Sequence, residues 1–468
     1  MTFYLLFKGR ILFRNTKKMH FVGIGGIGMS GIAEILINMG YDVSGSDLHD
    51  SEQTRRLASI GVKIFIGHYP SNIQDYNVVV TSSAINPNNP EIIEAAKRSI
   101  PIIHRSEMLA ELVRLKHGIG VAGTHGKTTT SSMLAYVLYH GGLNPTAVIG
   151  GKVLNFGSNA RTGAGNYIVF EADESDGSFL KLYPTIAIVT NIDADHLDYY
   201  KYFNNLKEAF LDYINKIPFY GYSVLCAEDV TIRELLPNVK RSFVTYGFND
   251  DAVFRAADVR FEDRRMKYRC FYKGSDLGEF SIISPGNHNV LNSLSVIAVA
   301  LELGLSAGNI REGLAEFKGV GRRFEHAGEA GGVLVVDDYG HHPTEIRATL
   351  AALKQFGRRL LVIFQPHRYS RTELLVNEFG NAFGYADKLF LTQIYPAGEQ
   401  PIEGVSSQII LDSIAKNGGN NAELVDRFEH IPEIVASAAK QGDIIVTLGA
   451  GDIYKAAPLI LDELRKRL

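Results

Sequence analysis

Cysteine is nearly absent: Cys226 and Cys270 are the only two in 468 residues. At that number and spacing, a disulfide framework and a thiolate metal cluster are both excluded, and a reducing compartment, the cytoplasm, is the expected home. Net charge is also scarce, since 48 Lys and Arg face 51 Asp and Glu for a formal charge of -3. The basic balance that an extended nucleic-acid footprint brings is missing, so no nucleic-acid partner is expected. Long apolar runs are missing too. The nearest, residues 290–305, is interrupted by Asn292, Ser293, Ser295 and Glu302, falls short of the ~18 unbroken apolar residues of a membrane span, and reads as a globular helix. No membrane insertion is expected.

What the chain does have is length and glycine. At roughly 150 residues per domain the length predicts about three domains with well-buried cores. Strand-like and helix-like segments alternate throughout, the pattern of α/β folds in which helices cover parallel sheets. Residues 19–115 form a first block, 116–320 a second and 321–468 a third. Residues 1–18 differ from the rest, with five basic residues between two short apolar patches, neither long enough for a signal-peptide core; no function is assigned to them. Glycine, 46 of 468 residues, exceeds the usual ~7% and is clustered, which suggests phosphate-binding turns.

The first cluster, Gly23-Ile24-Gly25-Gly26-Ile27-Gly28, follows an apolar strand and opens a helix. Bare amides at such a helix start can hold a diphosphate, and Asp47 falls where a dinucleotide fold places its ribose carboxylate. The pattern specifies only a diphosphate beside a ribose. NAD, another nucleotide diphosphate and a purely structural turn all satisfy it. The second cluster, Gly123-Thr124-His125-Gly126-Lys127-Thr128, runs from the apolar strand GIGVA into a helix expected to end near His140. Such a loop aims backbone N–H groups at phosphate oxygens, Lys127 adds a point charge and the Thr128 hydroxyl can ligate Mg2+. Val121 stands where the standard loop has its first glycine, so a shorter loop is expected. A nucleoside triphosphate is its natural ligand, and a dehydrogenase has no use for a γ-phosphate.

Eight ordered motifs carry a family resemblance: GIGGIGMSGIA (23–33), GTHGKTTT (123–130), EADESDGSF (171–179), NIDADHLDYY (191–200), PGNHNVLN (285–292), GRRFE (321–325), DDYGHHPTE (337–345) and FQPHRYSRT (364–372). Together they resemble the Mur ligases, over essentially all of residues 19–468. The resemblance implies an α/β fold of three domains: N-terminal Rossmann-like, central P-loop ATPase-like with a parallel sheet, C-terminal Rossmann-like. It implies an ATP-dependent, ADP-forming acid–amino-acid ligase, closest to the branch that joins L-alanine to UDP-N-acetylmuramate. In that reaction the lactyl carboxylate attacks the γ-phosphorus, ADP leaves, and the L-alanine amine attacks the acyl phosphate. The expected partners are thus three small molecules, UDP-N-acetylmuramate, ATP and L-alanine.

Site residues follow by the same resemblance. Gly25, Gly26, Ile27, Gly28, Met29, Asp47, Ser82 and Ser83 are expected to bind the UDP-sugar. Gly123, Thr124, His125, Gly126, Lys127, Thr128 and Thr129, with His288, Asn292, Arg323 and Asp338, are expected to bind ATP. Lys127, Glu171 and His196 are the catalytic candidates. Two Mg2+ ions, replaceable by Mn2+, are implied at Thr128 and at Glu171 with His196. Read without the resemblance, Glu171 passes for a surface carboxylate and His196 for a structural imidazole. Asp173, Glu174, Asp176, Asp193, Asp195 and Asp198 add acidity around them. Some relatives carry a carbamylated lysine, for which Lys201 and Lys207 are both in range. Tyr339, His341, Arg368 and Arg371 are expected at the amino acid, the guanidinium forks matching its carboxylate. Closure of the third block would keep water from the acyl phosphate. Three rivals are a recycling ligase that attaches a murein tripeptide to the same sugar nucleotide, a nicotinamide oxidoreductase, and a silent nucleotide-binding regulator lacking Lys127, Glu171 or His196.

Overall fold

The structure, a computed structural model, describes residues 17–419 and 421–467. Of the amino-terminal stretch set apart above, residues 1–16 lie outside the described residues, and Lys18 already belongs to the first strand.

Three sheets follow one another along the chain. The first is built from β1 (Lys18–Val22), β2 (Asp42–Asp47), β3 (Lys63–Ile66), β4 (Val78–Thr81) and β5 (Ile102–His104), in the order β3-β2-β1-β4-β5. Every neighbouring pair is parallel. Strand order reverses direction between β1 and β4, and a doubly wound sheet opens its ligand crevice at that switch point, outside the carboxyl ends of the strands. The glycine turn leaves β1 there, and Ser82 and Ser83 leave β4 beside it.

The second sheet holds β6 (His117–Ala122), β7 (Thr146–Val153), β8 (Ser158–Arg161), β9 (Tyr167–Glu171), β10 (Ile186–Val189), β11 (Tyr222–Cys226), β12 (Phe243–Gly247), β13 (Phe254–Glu262), β14 (Arg265–Tyr272) and β15 (Ser275–Ile282). Its order is β15-β14-β13-β12-β11-β10-β6-β9-β7-β8. Parallel pairing runs from β7 through β9, β6, β10, β11 and β12 to β13. Ile119, Val121, Val169, Phe170 and Ile188 are wholly buried, as expected of parallel strands covered on both faces. The third sheet comprises β16 (Glu325–Ala330), β17 (Val333–Asp338), β18 (Leu360–Phe364), β19 (Lys388–Thr392), β20 (Ala422–Val425) and β21 (Ile444–Leu448), ordered β16-β17-β21-β18-β19-β20. Separate apolar clusters form around Phe364 and Phe379 and around Phe390 and Ile460.

The sheets are parallel-rich rather than wholly parallel. β8 runs antiparallel to β7 and β16 antiparallel to β17. β13, β14 and β15 are joined by two-residue turns at Asp263-Arg264 and Lys273-Gly274, all four residues at positive φ (52°, 60°, 48° and 80°). That is the backbone of the hairpin turn whose twist matches its flanking strands. The chain divides into two compact units, one of residues up to 257 with 270–278 and 291–317, the other of 258–269, 279–290 and 318 onward. β1–β12 lie in the first, β16–β21 in the second, and β13–β15 are divided between them. Among the described residues no helix is long and apolar enough to cross a membrane.

Gly120, in the middle of β6, has no room for a side chain, because a Cβ there would collide with the Tyr213 hydroxyl and press on the Phe170 ring. Gly120→Val is expected to lower the thermal unfolding midpoint by roughly 2–10 °C through overpacking, read by circular dichroism or calorimetry; an unchanged midpoint would contradict this packing.

Candidate functional site

Three strand ends of the first unit meet at one edge: β6 and β10 are neighbours, as are β6 and β9. The carboxyl end of β6 gives Gly123–Gly126, that of β9 gives Glu171, and that of β10 gives Thr190 and Asn191. The loop after β6 is short, as Val121 implied, with that residue buried inside the strand. Gly123 and Gly126 sit at φ 130° and 83°, which a side chain resists. A Cβ at Gly123 would strike the Thr190 hydroxyl, and one at Gly126 would lie 2.9 Å from Asn292 Oδ1. Hydrogen bonds pin the loop from the β10 side: His125 N–H donates to Asn191 Oδ1 at 2.8 Å, Thr190 Oγ1 donates to the His125 carbonyl at 2.6 Å, and Asp193 N–H donates to Thr124 Oγ1 at 2.9 Å. The helix Lys127–His140 begins at Gly126 with no side-chain cap, so its first amides face the loop; Thr128 and Thr129 lie in that first turn.

Lys127 turns back into this edge. Its Nζ donates to both carboxylate oxygens of Glu174 at 2.9 Å and to the Gly123 and Thr124 carbonyls at 2.7 and 3.2 Å. Glu174 is fully buried. Burial alone would lower the ammonium's pKa, but the carboxylates of Glu174, Asp173 and Glu171 outweigh it and raise it. Lys127 is therefore a permanent cation. Glu174 was only one acid among six in the sequence; its pairing gives it a distinct place.

Glu171, at the end of β9, accepts from Thr128 Oγ1 at 3.1 Å, Ser131 Oγ at 3.3 Å and the Gly150 N–H at 2.6 Å. Thr128 and Glu171 thus present adjacent hard oxygens, the donor type that Mg2+ takes. His196 Nε2 lies 3.8 Å from Glu174 Oε1 and 3.7 Å from Asp195 Oδ2. Its φ of 57° is unfavourable for a side-chain-bearing residue and is the kind of local strain found at functional sites. Lys207 pairs with Glu234 at 2.9 Å, and the side chain of Asp198 lies outside the described residues.

A cleft of about 320 Å3 opens beside this edge. Gly26, Ile27, Gly28 and Met29 line one part, Ser82, Ser83 and Ala84 another, and Glu171 and Asp173 a third, with Arg105, Ile149 and Gly150 between. Gly25 and Asp47 stand behind the glycine turn, where Gly25 N–H donates to Asp47 Oδ2 at 2.9 Å. Arg105 escaped the sequence reading because it belongs to no glycine motif. Only the packing of its helix, Arg105–Val113, brings it here.

In the second unit the carboxyl ends of β17, β18 and β19 give a different set. Tyr339 and His341 follow β17, their rings 5.5 Å apart at right angles. His367 and Arg368 follow β18, and Arg371 Nη1 lies 3.3 Å from His367 Nδ1. The His367 ring stacks on Tyr395 at 5.6 Å and stands 5.7 Å from His341. Arg368 has φ 72° and lies 3.9 Å from Glu399. Arg323 lies over the Tyr339 ring at 4.9 Å and 3.5 Å from Glu345. Asp338 is enclosed, accepting from the Phe324 and Gly340 N–H groups at 2.8 Å each and from Thr349 Oγ1 at 3.1 Å. His288 also belongs to this unit, with Asn289 Nδ2 3.1 Å from its Nε2. His342 caps the helix Pro343–Lys354. Burial, with Arg371 and Arg323 nearby, pushes His341 down to about 4, and burial with His341 and the surrounding arginines pushes His367 down to about 3. Both imidazoles are neutral near pH 7. His367 and Tyr395 were missed because a histidine between Pro366 and Arg368 carries no signal of its own.

Two outcomes follow. Removing the counter-charge with Glu174→Ala strands a buried ammonium, at a cost of about 3–5 kcal/mol; a nucleoside triphosphate, whose oxygens can replace the carboxylate, should narrow that deficit in a thermal-shift titration. An unfolded histidine protonates near pH ~6.5 whereas His367 does so only near 3, so the unfolded chain binds more protons below about pH 6.5 and stability falls as pH drops. Asp337, pushed up to about 6 by burial, acts in the opposite sense, so the check is a difference. His367→Asn should lose about 1–2 kcal/mol less than wild type between pH 7 and pH 5, measured by urea unfolding, and equal acid sensitivity would refute the assignment.

Family models match the chain in three consecutive segments, "Mur ligase family, catalytic domain" at residues 18–117, "Mur ligase middle domain" at 121–300 and "Mur ligase, glutamate ligase domain" at 322–451. A UDP-N-acetylmuramate–L-alanine ligase of Geobacter sulfurreducens is 56% identical over 97% of this chain and 99% of its own length. One from Geotalea daltonii is 54% identical over 97% and 100%. The solved UDP-N-acetylmuramate-alanine ligase of Thermotoga maritima shares 32% identity over 96% of this chain and all of its own, with a TM-score of 0.82. A murein peptide ligase from Psychrobacter arcticus shares 25% over 96% and 99%, with a TM-score of 0.72. Matched in all three segments and along nearly its whole length, this chain belongs to the Mur ligase family.

Proposed function

We propose that the protein joins L-alanine to the lactyl carboxylate of UDP-N-acetylmuramate at the expense of ATP, a step of peptidoglycan precursor synthesis. The observation that carries this reading is the continuity of the cleft in the first unit. One cleft reaches from the glycine turn, suited to a diphosphate, to Glu171 and Asp173 beside the lysine-bearing loop. A sugar nucleotide laid along it with its diphosphate at Gly26–Met29 would bring its far end, the lactyl carboxylate, toward the γ-phosphate of a nucleotide seated on Gly123–Thr129.

In this reading the carboxylate oxygen attacks the γ-phosphorus, the bond to the β-phosphate oxygen breaks, and ADP departs. Lys127 exchanges Glu174 and its two carbonyls for phosphate oxygens and stabilises the charge that builds there. Thr128 would hold one Mg2+ and Glu171 with His196 a second, and such ions would neutralise the repulsion between phosphate and carboxylate. Asn292, beside Gly126, is assigned to the nucleotide. The amine of L-alanine then attacks the acyl carbon, an amide forms and inorganic phosphate leaves. Arg368 and Arg371 are assigned to the amino-acid carboxylate and Tyr339 and His341 to the walls of its pocket. Their neutral histidines add no cation to compete with that pairing. The high identity to alanine-adding relatives favours L-alanine over the tripeptide of the recycling enzymes.

Phosphate release from ATP and Mg2+ should require UDP-N-acetylmuramate and L-alanine together. Release that ignores the sugar nucleotide, or a rate higher with the murein tripeptide than with L-alanine, would overturn this assignment. Lys127→Ala should abolish turnover, by at least ~10³-fold, while sugar-nucleotide binding measured by calorimetry persists.

A further inference from the structure

The loop that carries Lys127 leaves β6, and the segments on either side of it leave β9 and β10. Because β6 stands between those two strands, sheet pairing does not set the spacing of the acidic loop 172–178 against the stretch 190–201. Several bonds of the acidic loop are internal: Ser175 N–H donates to Asp173 Oδ1 at 3.1 Å, Ser178 N–H to Asp176 Oδ1 at 3.0 Å, and Phe179 N–H to the Asp173 carbonyl at 3.1 Å. Tyr200 reaches the loop from the other segment. The residue is buried, and its hydroxyl donates to the Glu174 carbonyl at 2.6 Å. Its backbone is fixed as well: its N–H donates to the His196 carbonyl at 3.1 Å, and its carbonyl accepts from the Tyr202 N–H at 2.8 Å and from Asn205 Nδ2 at 2.7 Å. Tyr199 packs on the same loop, where a Cβ at Gly177 would come within 2.5 Å of its hydroxyl, and its ring stands edge-on to that of Tyr200 at 4.9 Å. Burial, with the Glu174 carboxylate nearby, raises the pKa of the Tyr200 phenol, so it remains a donor at neutral pH.

We infer that Tyr200 is a positioning residue for nucleotide binding: its hydroxyl holds the Glu174 backbone, so that the Glu174 carboxylate orients Lys127 yet stays behind when the ammonium moves onto phosphate oxygens. The inference deepens the proposed function and rests on its placing of a nucleotide at Gly123–Thr129. Lys127 Nζ meets both Glu174 oxygens at 2.9 Å. An untethered Glu174 would follow the ammonium and bring its own negative charge against the phosphates, a repulsion that grows as water is excluded. Tied through Tyr200 to the His196 carbonyl and to the helix Phe203–Asn215, Glu174 keeps its place. Lys127, a point charge on a flexible four-carbon stem, makes the exchange alone.

The test compares the intact wild-type protein with Tyr200→Phe, which removes one oxygen and keeps the buried ring, by calorimetric binding of ADP with Mg2+ and by the KM of each substrate. Wild type that fails to bind ADP would refute the proposed function, and the inference with it. Given binding, Tyr200→Phe should weaken ADP and raise the KM for ATP by roughly 3–10-fold, the worth of one lost hydrogen bond. The KM values for UDP-N-acetylmuramate and L-alanine should move by less than about twofold, a split that general loosening would not produce. In a Glu174→Gln background, which leaves no carboxylate to restrain, the same substitution should change ADP affinity by less than about twofold. A Tyr200→Phe protein that binds ADP normally, whatever its melting temperature, would overturn the inference. So would a similar rise in all three KM values, or an undiminished loss of ADP affinity in the Glu174→Gln background, which would show that the hydroxyl does not act through Glu174.

Discussion

A buried ammonium facing a buried carboxylate sets the terms for the first unit. Lys127 and Glu174 can be kept from water only together, since either alone would bear the full desolvation penalty. The pair requires the loop to hold its carbonyls toward Nζ, which in turn requires Gly123 and Gly126 in backbone conformations that a side chain resists. Thr190, Asn191 and Asp193 supply the hydrogen bonds that keep the loop in that shape. The loop is thus held by the chain's own groups, and Lys127 lies at the edge where Glu171 and Thr128 sit. Preorganisation of this kind places charge where a transition state needs it without reorganisation at the moment of reaction.

Each sheet edge offers a different set of groups. At the first sheet a switch point between β1 and β4 leaves uncapped amides and two serines. The second offers oxygen donors and a lysine from three adjacent strands. The third gathers arginines around two histidines whose burial keeps them neutral, so the fixed positive charge there belongs to the guanidinium groups. His196 and Arg368, one in each unit, both have positive φ, and in each case the neighbouring chain holds the strained residue by hydrogen bonds: Asp195 Oδ1 accepts from the His196 N–H, and the Tyr395 carbonyl accepts from the Arg368 N–H.

Legibility followed the locality of the signal. The strand, glycine loop and helix at 117–140 were readable because each step is written in adjacent residues, and the family resemblance rested on eight such stretches. The hairpins at Asp263-Arg264 and Lys273-Gly274 were not, because their turns lack the common Asn-Gly or Asp-Gly pair. Arg105, His367 and Tyr395 were invisible for another reason: their placement shows only in contacts with residues 68, 4 and 28 positions away in sequence, Asp173, Arg371 and His367.

By itself the amino-acid sequence determined the α/β class, the positions of the two glycine clusters and the family, because alternating periodicity and contiguous motifs are local properties that survive without coordinates. Only the tertiary structure decided that Glu174, among six nearby acids, is the one that faces Lys127, and that Arg105 is the cation lining the cleft beside the first glycine turn. Both depend on which strand ends become neighbours, and that is fixed by sheet order and packing rather than by anything the residues spell out one after another.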